Sequence, residues 1–411
     1  MKVFILGGAG RHGRRVAYLL SSSPEIGEVV IGARDLASAT MVAERIGPKA
    51  TVVRVDALDE AGVAQAARGA RLMVNASGPY FETLLPALRA AIGARIHYCD
   101  FSEDGRTVEQ AFAMDAAARA AGIIAILGIG DAPGITNLMA LHAARQLDRA
   151  EEIVVGWTDD FEVVYRSVQE NLRTIRTSGH VDASLQATLN ASTGKIRTFV
   201  GGRWMDEDAL GRAVSVMLPT GQSFSAFPLG WAEPVMLPRS IPQLKSVTSL
   251  VNLLPPQMNE LMRAEASFIA EGRLRPREAT IDMLESVNVD PARWLKRPHG
   301  MMVGALFAIV RGVRNGRPAI CGIVPNWGYA PAPDWVEGFG TGAPCSLAAL
   351  RVLRGEVERP GVMGPEACFE PMSFFGELVH RWGAGRPAAD LVAQEFHYEE
   401  PAFRQSVSGR A

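Results

Sequence analysis

Lys2-Val3-Phe4-Ile5-Leu6-Gly7-Gly8-Ala9-Gly10-Arg11-His12-Gly13-Arg14-Arg15-Val16-Ala17-Tyr18-Leu19-Leu20 is the stretch whose reading decides the fold. A short apolar run of β type comes first, a glycine cluster bends the chain, and apolar residues then recur at helical spacing. Gly8, Gly10 and Gly13 fit G-x-G-x-x-G in the context the pattern needs, a strand before and a helix after. Gly8 permits the tight turn, Gly10 lets backbone approach a pyrophosphate, and Gly13 lets the helix sit close to the strand. A pyrophosphate placed there meets the N–H groups of a helix N-terminus. Arg11 and His12 lie inside the pattern and are counted with the glycines as cofactor-binding candidates.

Working outward, Glu28-Val29-Val30-Ile31-Gly32 reads as the next strand. A site for NAD wants a carboxylate about 20 residues past the last glycine, on the ribose hydroxyls. Ala33 stands there and cannot serve. Arg34, beside it, suits a 2′-phosphate, so NADP is expected, with NAD possible. Asp35 is one residue late and is read as the cap of a helix starting near Leu36. Thr51–Asp56 reads as a third strand, with Asp56 at its end to face the adenine. Arg71–Asn75, Arg95–Asp100 and Ile123–Leu127 follow as strands, separated by helices over Glu60–Ala67, Thr83–Ile92 and Val108–Ala121. Strand-helix alternation of this kind makes a parallel doubly wound sheet. Ligands bind outside the carboxyl ends of such strands, which places Asn75, Ser77 and Gly78 in the cofactor crevice.

Composition narrows the remaining classes. The chain has 411 residues and a net charge of −2. That length suggests two or three domains, and that charge, with no basic stripe, argues against nucleic acid. No apolar stretch reaches the roughly 18–20 residues of a membrane span, and the run after Met1-Lys2 is too short for a signal-peptide core. The four cysteines are sparse, without metal-type pairing, so free thiols in the cytoplasm and no metal site are expected.

Two further stretches join the glycine loop in a recognisable pattern. One is Gly128-Ile129-Gly130-Asp131-Ala132-Pro133-Gly134-Ile135-Thr136-Asn137. The other runs from Thr341-Gly342-Ala343-Pro344 through Gly355-Glu356-Val357 and Gly361-Val362-Met363-Gly364-Pro365-Glu366 to Phe374-Phe375. With these the chain resembles the saccharopine dehydrogenase-like family, whose members include saccharopine reductases, lysine 6-dehydrogenases and carboxynorspermidine dehydrogenases. Gly201-Gly202-Arg203-Trp204 and Glu233-Pro234-Val235-Met236-Leu237-Pro238 resemble the family's strand-turn-strand and its Glu-Pro-x-x-Leu-Pro step. The resemblance implies an α/β fold with a Rossmann domain made of residues 1–131 and 341–411. It implies an inserted mixed α/β domain, with a largely antiparallel sheet, over 132–340, often used for dimerisation. It also implies hydride transfer at a carbon–nitrogen centre of a small-molecule substrate, and a homodimer. The chain departs from the family in two places. Ala132 stands where saccharopine reductases carry Asp before Pro-Gly, with Asp131 one residue earlier. The Arg-Tyr-Pro-Gly-His segment of the lysine and saccharopine branch is absent, and Arg275-Pro276-Arg277-Glu278 occupies its region. The relatives' amino-acid substrate is therefore not carried over.

The middle of the chain reads as strands with a few helices. Ile153–Trp157, Ile196–Val200, Ala213–Leu218 and Ser223–Phe227 are strand-like. Residues 166–190, with a break at Ser178-Gly179, and Pro255–Ile269 are helical. Met302–Arg311 and Arg317–Val324 form a hairpin on Asn315-Gly316. In such an enzyme the cofactor carries the hydride and the protein orients it and handles protons. Asp131, His180 and Tyr80 are the catalytic candidates, with Tyr165 a further hydroxyl. Asn137 and Glu233 are the substrate-binding candidates; Glu233 either holds an amine or supports the hinge between domains. The tryptophans, Trp157, Trp231 and Trp327 among them, read as core. Two alternatives stay open: a reductase of enoyl or lipid-like substrates, with Val247–Leu254 lining a greasy pocket, and a dinucleotide-binding protein without turnover.

Overall fold

The computed structural model describes residues 1–158, 161–218, 221, 223–253, 255–294, 305–326, 333, 336, 339–383 and 392–398. They form two compact units. One is Met1–Ile135 with the described residues between Trp327 and Ala388; the other is Thr136–Asn326 with the strand Val392–Tyr398.

In the first unit the elements are β1 (Lys2–Leu6), α1 (Arg11–Ser21), β2 (Glu28–Ala33), α2 (Leu36–Ile46), β3 (Ala50–Arg54), α3 (Glu60–Ala66), β4 (Leu72–Asn75), α4 (Tyr80–Ala94), β5 (His97–Asp100), α5 (Gly105–Phe112), α6 (Asp115–Ala121) and β6 (Ile124–Ile126). A seventh strand, Gly361–Met363, returns to pair with β6. The sheet order is Gly361–Met363, β6, β5, β4, β1, β2, β3, and every pairing is parallel. Covered on both faces, such strands read as unbroken apolar runs. Val3, Phe4 and Ile5 are accordingly 0% exposed. The order reverses between β1 and β4, and at such a point sheets of this kind bind ligands outside the carboxyl ends of the strands. Asp35, Asp59 and Asp104 cap α2, α3 and α5 with their carboxylates, as read for Asp35.

The expected helix Val108–Ala121 is two helices, α5 and α6. Asp115 opens the second and accepts the Val362 N–H at 3.0 Å. The interruption thus serves a strand that arrives almost 250 residues later, and nothing in local periodicity announces it.

The second unit begins at α7 (Ile135–Arg145), whose first residue still belongs to the first. It continues through β7 (Arg149–Thr158), α8 (Phe161–Ser178), α9 (Ala183–Ala191), β8 (Lys195–Val200), β9 (Arg203–Asp208), β10 (Val214–Met217), β11 (Ser223–Pro228), α10 (Glu233–Ser240), β12 (Ser246–Asn252), α11 (Gln257–Ala270), α12 (Pro276–Val289), β13 (Ala305–Arg314) and β14 (Arg317–Pro325). The strands form a nine-stranded sheet in the order β10, β11, β12, β7, β13, β14, Val392–Tyr398, with β8 and β9 branching from β12. Among the described residues only β12 and β7 pair in parallel; the other pairings are antiparallel. The hairpin turn has Asn315 at φ 53° and Gly316 at φ 72°, the left-handed pair that a two-residue turn of this kind needs. Val392–Tyr398, expected with the C-terminal part of the Rossmann domain, instead pairs with β14.

Val247, Leu250 and Val251 are 0% exposed. They lie on β12 inside the sheet, so this segment is core and not the lining of a greasy pocket; Leu254 lies outside the described residues. One face of the sheet packs a cluster of Val216, Leu218, Ala226, Leu250, Phe307, Ile309 and Val324. Phe224 meets Phe307 edge-on at 5.8 Å. Phe307 is 0% exposed at the centre of this cluster, so Phe307→Ala should cost about 3–5 kcal/mol. Urea unfolding followed by circular dichroism measures this, and a loss under about 1 kcal/mol would mean the site collapses around the gap.

Candidate functional site

In the first unit the glycine loop is held by contacts that leave no room for side chains. Gly7 has φ +77°, and a Cβ on it would lie 2.7 Å from the Ala76 carbonyl and the Ser77 backbone. A Cβ on Gly13 would lie 2.1 Å from the Gly7 carbonyl oxygen. The loop is therefore pressed between the end of β4 and the first turn of α1. Gly10 is the N-cap of α1, and no side chain makes a capping hydrogen bond there. A cradle a Cβ would fill and an uncapped N-terminus of an eleven-residue helix fit a pyrophosphate.

The end of β4 is fixed from below. Asn75, 0% exposed, donates from Nδ2 to the Tyr98 hydroxyl at 3.1 Å and accepts the Ser77 N–H at 3.1 Å. The Tyr98 hydroxyl donates to Asp100 Oδ2 at 2.9 Å. Asp100 Oδ1 accepts from Ser102 N, Ser102 Oγ and Gly128 N at 3.1, 2.8 and 2.7 Å. Burial raises the pKa of Asp100, and these hydrogen bonds oppose the rise. Tyr98, Asp100 and Ser102 were not singled out in the sequence. The signal was there, an Asp at the carboxyl end of a strand next to β4. Asn75 thus shapes the crevice, with its side chain engaged in the fold.

Gly78 and Pro79 are joined by a cis peptide bond, and α4 begins at once with Tyr80. The Tyr80 hydroxyl donates to the Asn75 carbonyl at 3.1 Å, and burial raises its pKa well above the usual tyrosine value. Its ring meets Phe101 edge-on at 5.6 Å, and the His12 ring meets Phe101 from another side at 5.7 Å. These three rings make one wall running from the glycine loop to the end of β5. Arg11 is exposed at the start of α1, and Asp56 is exposed beyond β3, its carboxylate accepting the Leu58 N–H at 3.0 Å.

Arg34 follows β2 directly and is exposed; among the described residues nothing pairs with its guanidinium. Asp35 does not compete for it from an extended position, because its carboxylate is turned onto Ala37 N and Ser38 Oγ.

Asp131 lies in the turn after β6, where Gly130 N bonds the Pro133 carbonyl and Ile135 N bonds the Gly130 carbonyl, both at 2.9 Å. A Cβ placed on Gly130 would lie 3.0 Å from Phe101 Cβ and 3.2 Å from the Thr341 methyl. One placed on Gly340 would lie 1.9 Å from Asp131 Oδ2. The helix Phe339–Leu353 therefore sets its first turn against the carboxylate, and two residues after Gly340, Gly342 packs on the Arg15 stem, with a built Cβ 2.5 Å from Arg15 Cγ. That explains the small residues of Thr341-Gly342-Ala343-Pro344. Asp131 accepts no hydrogen bond among the described residues, and burial pushes its pKa up to about 7.

The second unit holds the other candidates. Glu233 and Asn137 are 0% exposed. Glu233 Oε1 accepts from Thr136 Oγ1 at 2.9 Å, and Asn137 Nδ2 sits 3.9 Å from Met236 Sδ. Thr136, Asn137 and Glu233 thus come together where α7 meets α10. His180 does not join them: it is exposed in the loop between α8 and α9. The Tyr165 side chain and Trp327 lie outside the described residues.

Residues 3–126 match the model of the saccharopine dehydrogenase NADP binding domain. That segment is similar to the NADP-binding domain of saccharopine dehydrogenases. Carboxyaminopropylagmatine dehydrogenase of Synechocystis sp. is 23% identical over 416 residues, covering 97% of this chain and 100% of that one. Among solved structures, saccharopine dehydrogenase (L-Glu forming) of Saccharomyces cerevisiae superposes with a TM-score of 0.63 at 14% identity, over 96% of this chain and 99% of that one. At that identity the likeness is one of fold. These comparisons support an NADP-binding oxidoreductase over the lipid-like and non-catalytic alternatives.

Two variants probe the cofactor side. Gly13→Ala drives a Cβ into the Gly7 carbonyl and should abolish NADPH binding, read by enhancement of nicotinamide fluorescence. Arg34→Ala should weaken NADPH about ten- to hundredfold, the worth of charged hydrogen bonds to a phosphate, and leave NADH nearly unchanged. Equal losses for both cofactors would remove Arg34 from the 2′-phosphate.

Proposed function

We propose that the protein moves hydride at a carbon–nitrogen centre of a small-molecule substrate, oxidising an amine to an imine or running the reverse, with NADP preferred over NAD. The observation that carries this reading is the Asp131 carboxylate, unpartnered among the described residues, beside the aromatic wall of the nucleotide-binding unit, and titrating at about 7. The dehydrogenase named among the relatives, whose substrate is an amine, supports the same centre.

Gly8, Gly10, Arg11, His12 and Gly13 would hold the pyrophosphate, Arg34 the 2′-phosphate and Asp56 the adenosine, with Ser77 and Gly78 at the nicotinamide end. NADP bound there supplies the hydride acceptor. An amine is an ammonium at neutral pH and cannot release hydride from its carbon until a proton leaves the nitrogen. Asp131 takes that proton, and in the reverse direction returns it. A carboxyl titrating near the working pH does both with little penalty. Tyr80, whose proton is committed to the Asn75 carbonyl, is a wall of the site in this reading. His180, exposed on its loop, is the second choice for the proton. Asn137 and Glu233 are the substrate-side residues of the second unit. The reading includes a homodimer in the cytoplasm; four free cysteines suit a reducing compartment.

Asp131→Asn should lower kcat by about 10²–10⁴-fold, the usual worth of a placed acid–base group. In the wild type, amine oxidation should rise with pH through about 7, and imine reduction should fall over the same range. The stability effect has the opposite sense to a structural role. A carboxyl whose folded pKa lies above its unfolded value of about 4 destabilises the fold increasingly as pH rises between the two values. Asn carries no such cost, so the variant should gain thermal stability over wild type as pH rises from 4 to 8. Unchanged turnover, or a loss of stability at pH 8, would refute the assignment.

A further inference from the structure

In the nucleotide-binding unit the sheet ends on one side at β3, whose last residue is Arg54. The register decides which face Arg54 occupies. Ile31 lies opposite Val52, and Ala33 opposite Arg54. Paired residues of parallel strands share a face, as do residues two apart, so Arg54 projects from the face that carries Ile31 and Ala33. The glycine loop is on that face: a Cβ built on Gly8 would lie 3.1 Å from Ile31 Cγ2. The other face is filled with apolar groups, since a Cβ on Gly32 would lie 2.7 Å from the Phe4 ring and 3.0 Å from Val55 Cγ1. α2 lies on the glycine-loop side as well, where its Thr40, Ala43 and Glu44 line a shallow groove with Ala50 and Val52 of β3. Arg54 therefore stands at the carboxyl edge of the sheet, on the side where α2 begins.

Arg54 is exposed, and among the described residues no carboxylate or other acceptor meets its guanidinium. The two acids nearest these strand ends in sequence are turned onto their own helix starts and turns: Asp35 onto Ala37 N and Ser38 Oγ, Asp56 onto Leu58 N. Arg34, in the bend after β2, is unpaired in the same way. Neighbouring strands thus end in two arginines with no acid between them, an arrangement in which like charges repel. A dinucleotide with its pyrophosphate on the glycine loop carries the ribose 2′ position to the end of β2, beside the end of β3. A doubly charged group placed there removes the repulsion.

We infer that Arg54 is a second determinant of cofactor choice, its guanidinium holding the 2′-phosphate of NADP together with Arg34 from the ends of adjacent strands. A phosphate presents three strong acceptor oxygens, and two planar forks approaching from two strands engage more of them than one fork does. NAD carries a neutral hydroxyl at that position and gains nothing from the second arginine. The inference rests on the NADP preference read at Arg34, but it assigns a different residue on a different strand, and the two fail separately.

Fluorescence titration of the full chain with NADPH and NADH tests this, alongside calorimetric titration with 2′,5′-ADP and 5′-AMP, which differ only by the phosphate in question. Arg54→Gln should raise Kd for NADPH and 2′,5′-ADP about tenfold, the lower end of the range for charged hydrogen bonds because the residue is exposed, and leave NADH and 5′-AMP within about twofold. Arg54→Lys keeps the charge without the fork and should recover only part of the loss. Arg68, exposed just before β4 at the amino edge of the sheet, is the control for net charge, and Arg68→Gln should change neither cofactor. Equal losses for NADPH and NADH in Arg54→Gln, no loss for either, full recovery in Arg54→Lys, or the same loss in Arg68→Gln overturns the inference. A selective loss in Arg34→Ala with none in Arg54→Gln rejects Arg54 alone and leaves the NADP reading standing. Wild-type protein that binds NADH and not NADPH rejects both.

Discussion

The close approach of Gly7 to the backbone of Ala76 and Ser77 is the constraint on which the nucleotide-binding unit turns. It sets the ends of β1 and β4 side by side at the point where strand order reverses, with no side chain between them. Gly13 repeats the device on the other side, resting the helix directly on the Gly7 carbonyl. Two backbone contacts thus fix the loop, and a pyrophosphate can then be bound by N–H groups that need no reorganisation. The relay from Asn75 through Tyr98 and Asp100 to Gly128 extends the rigidity across β4, β5 and the segment after β6. Flexible glycines become a defined surface because their neighbours are immobile.

What the sequence makes legible follows from how local each cause is. The glycine loop, the Asp35 cap and the Asn315-Gly316 turn are decided by residues within a few positions of one another, and all three are present in the structure. The break between α5 and α6 depends on Val362, and the strand Val392–Tyr398 depends on β14; neither partner is near in sequence. Val247–Asn252 shows the limit of periodicity: an apolar run reads equally as a pocket wall or a central strand until its neighbours are known. At the candidate site, Asp131 was visible because it sits beside the Pro-Gly turn of a recognisable pattern. That Gly340 gives it room was not visible, since the contact spans more than 200 residues. The tryptophans illustrate a different failure. Trp157 and Trp231 are packed together, as core residues are, yet their indole nitrogens find no partner among the described residues. Apolar bulk is written in residue type, whereas hydrogen-bond satisfaction exists only in three dimensions.

Three low-exposure carboxylates show how the fold separates structural from chemical roles. Asp100 accepts four hydrogen bonds, from Tyr98, from the N–H and hydroxyl of Ser102, and from Gly128. Its desolvation is met within the protein, and nothing remains to offer a ligand. Glu233 is held by Thr136 at Oε1, and Ser249 and its own backbone N–H also oppose the rise in pKa that burial causes. Asp131 has no partner among the described residues, and its pKa has moved to about 7 under burial alone. A carboxylate removed from water without replacement hydrogen bonds costs stability. A fold that satisfies Asp100 so fully evidently has the means to satisfy a carboxylate. Asp131 is thus the carboxylate of the three that the protein itself meets least, which is what selects it for the proposed proton transfer.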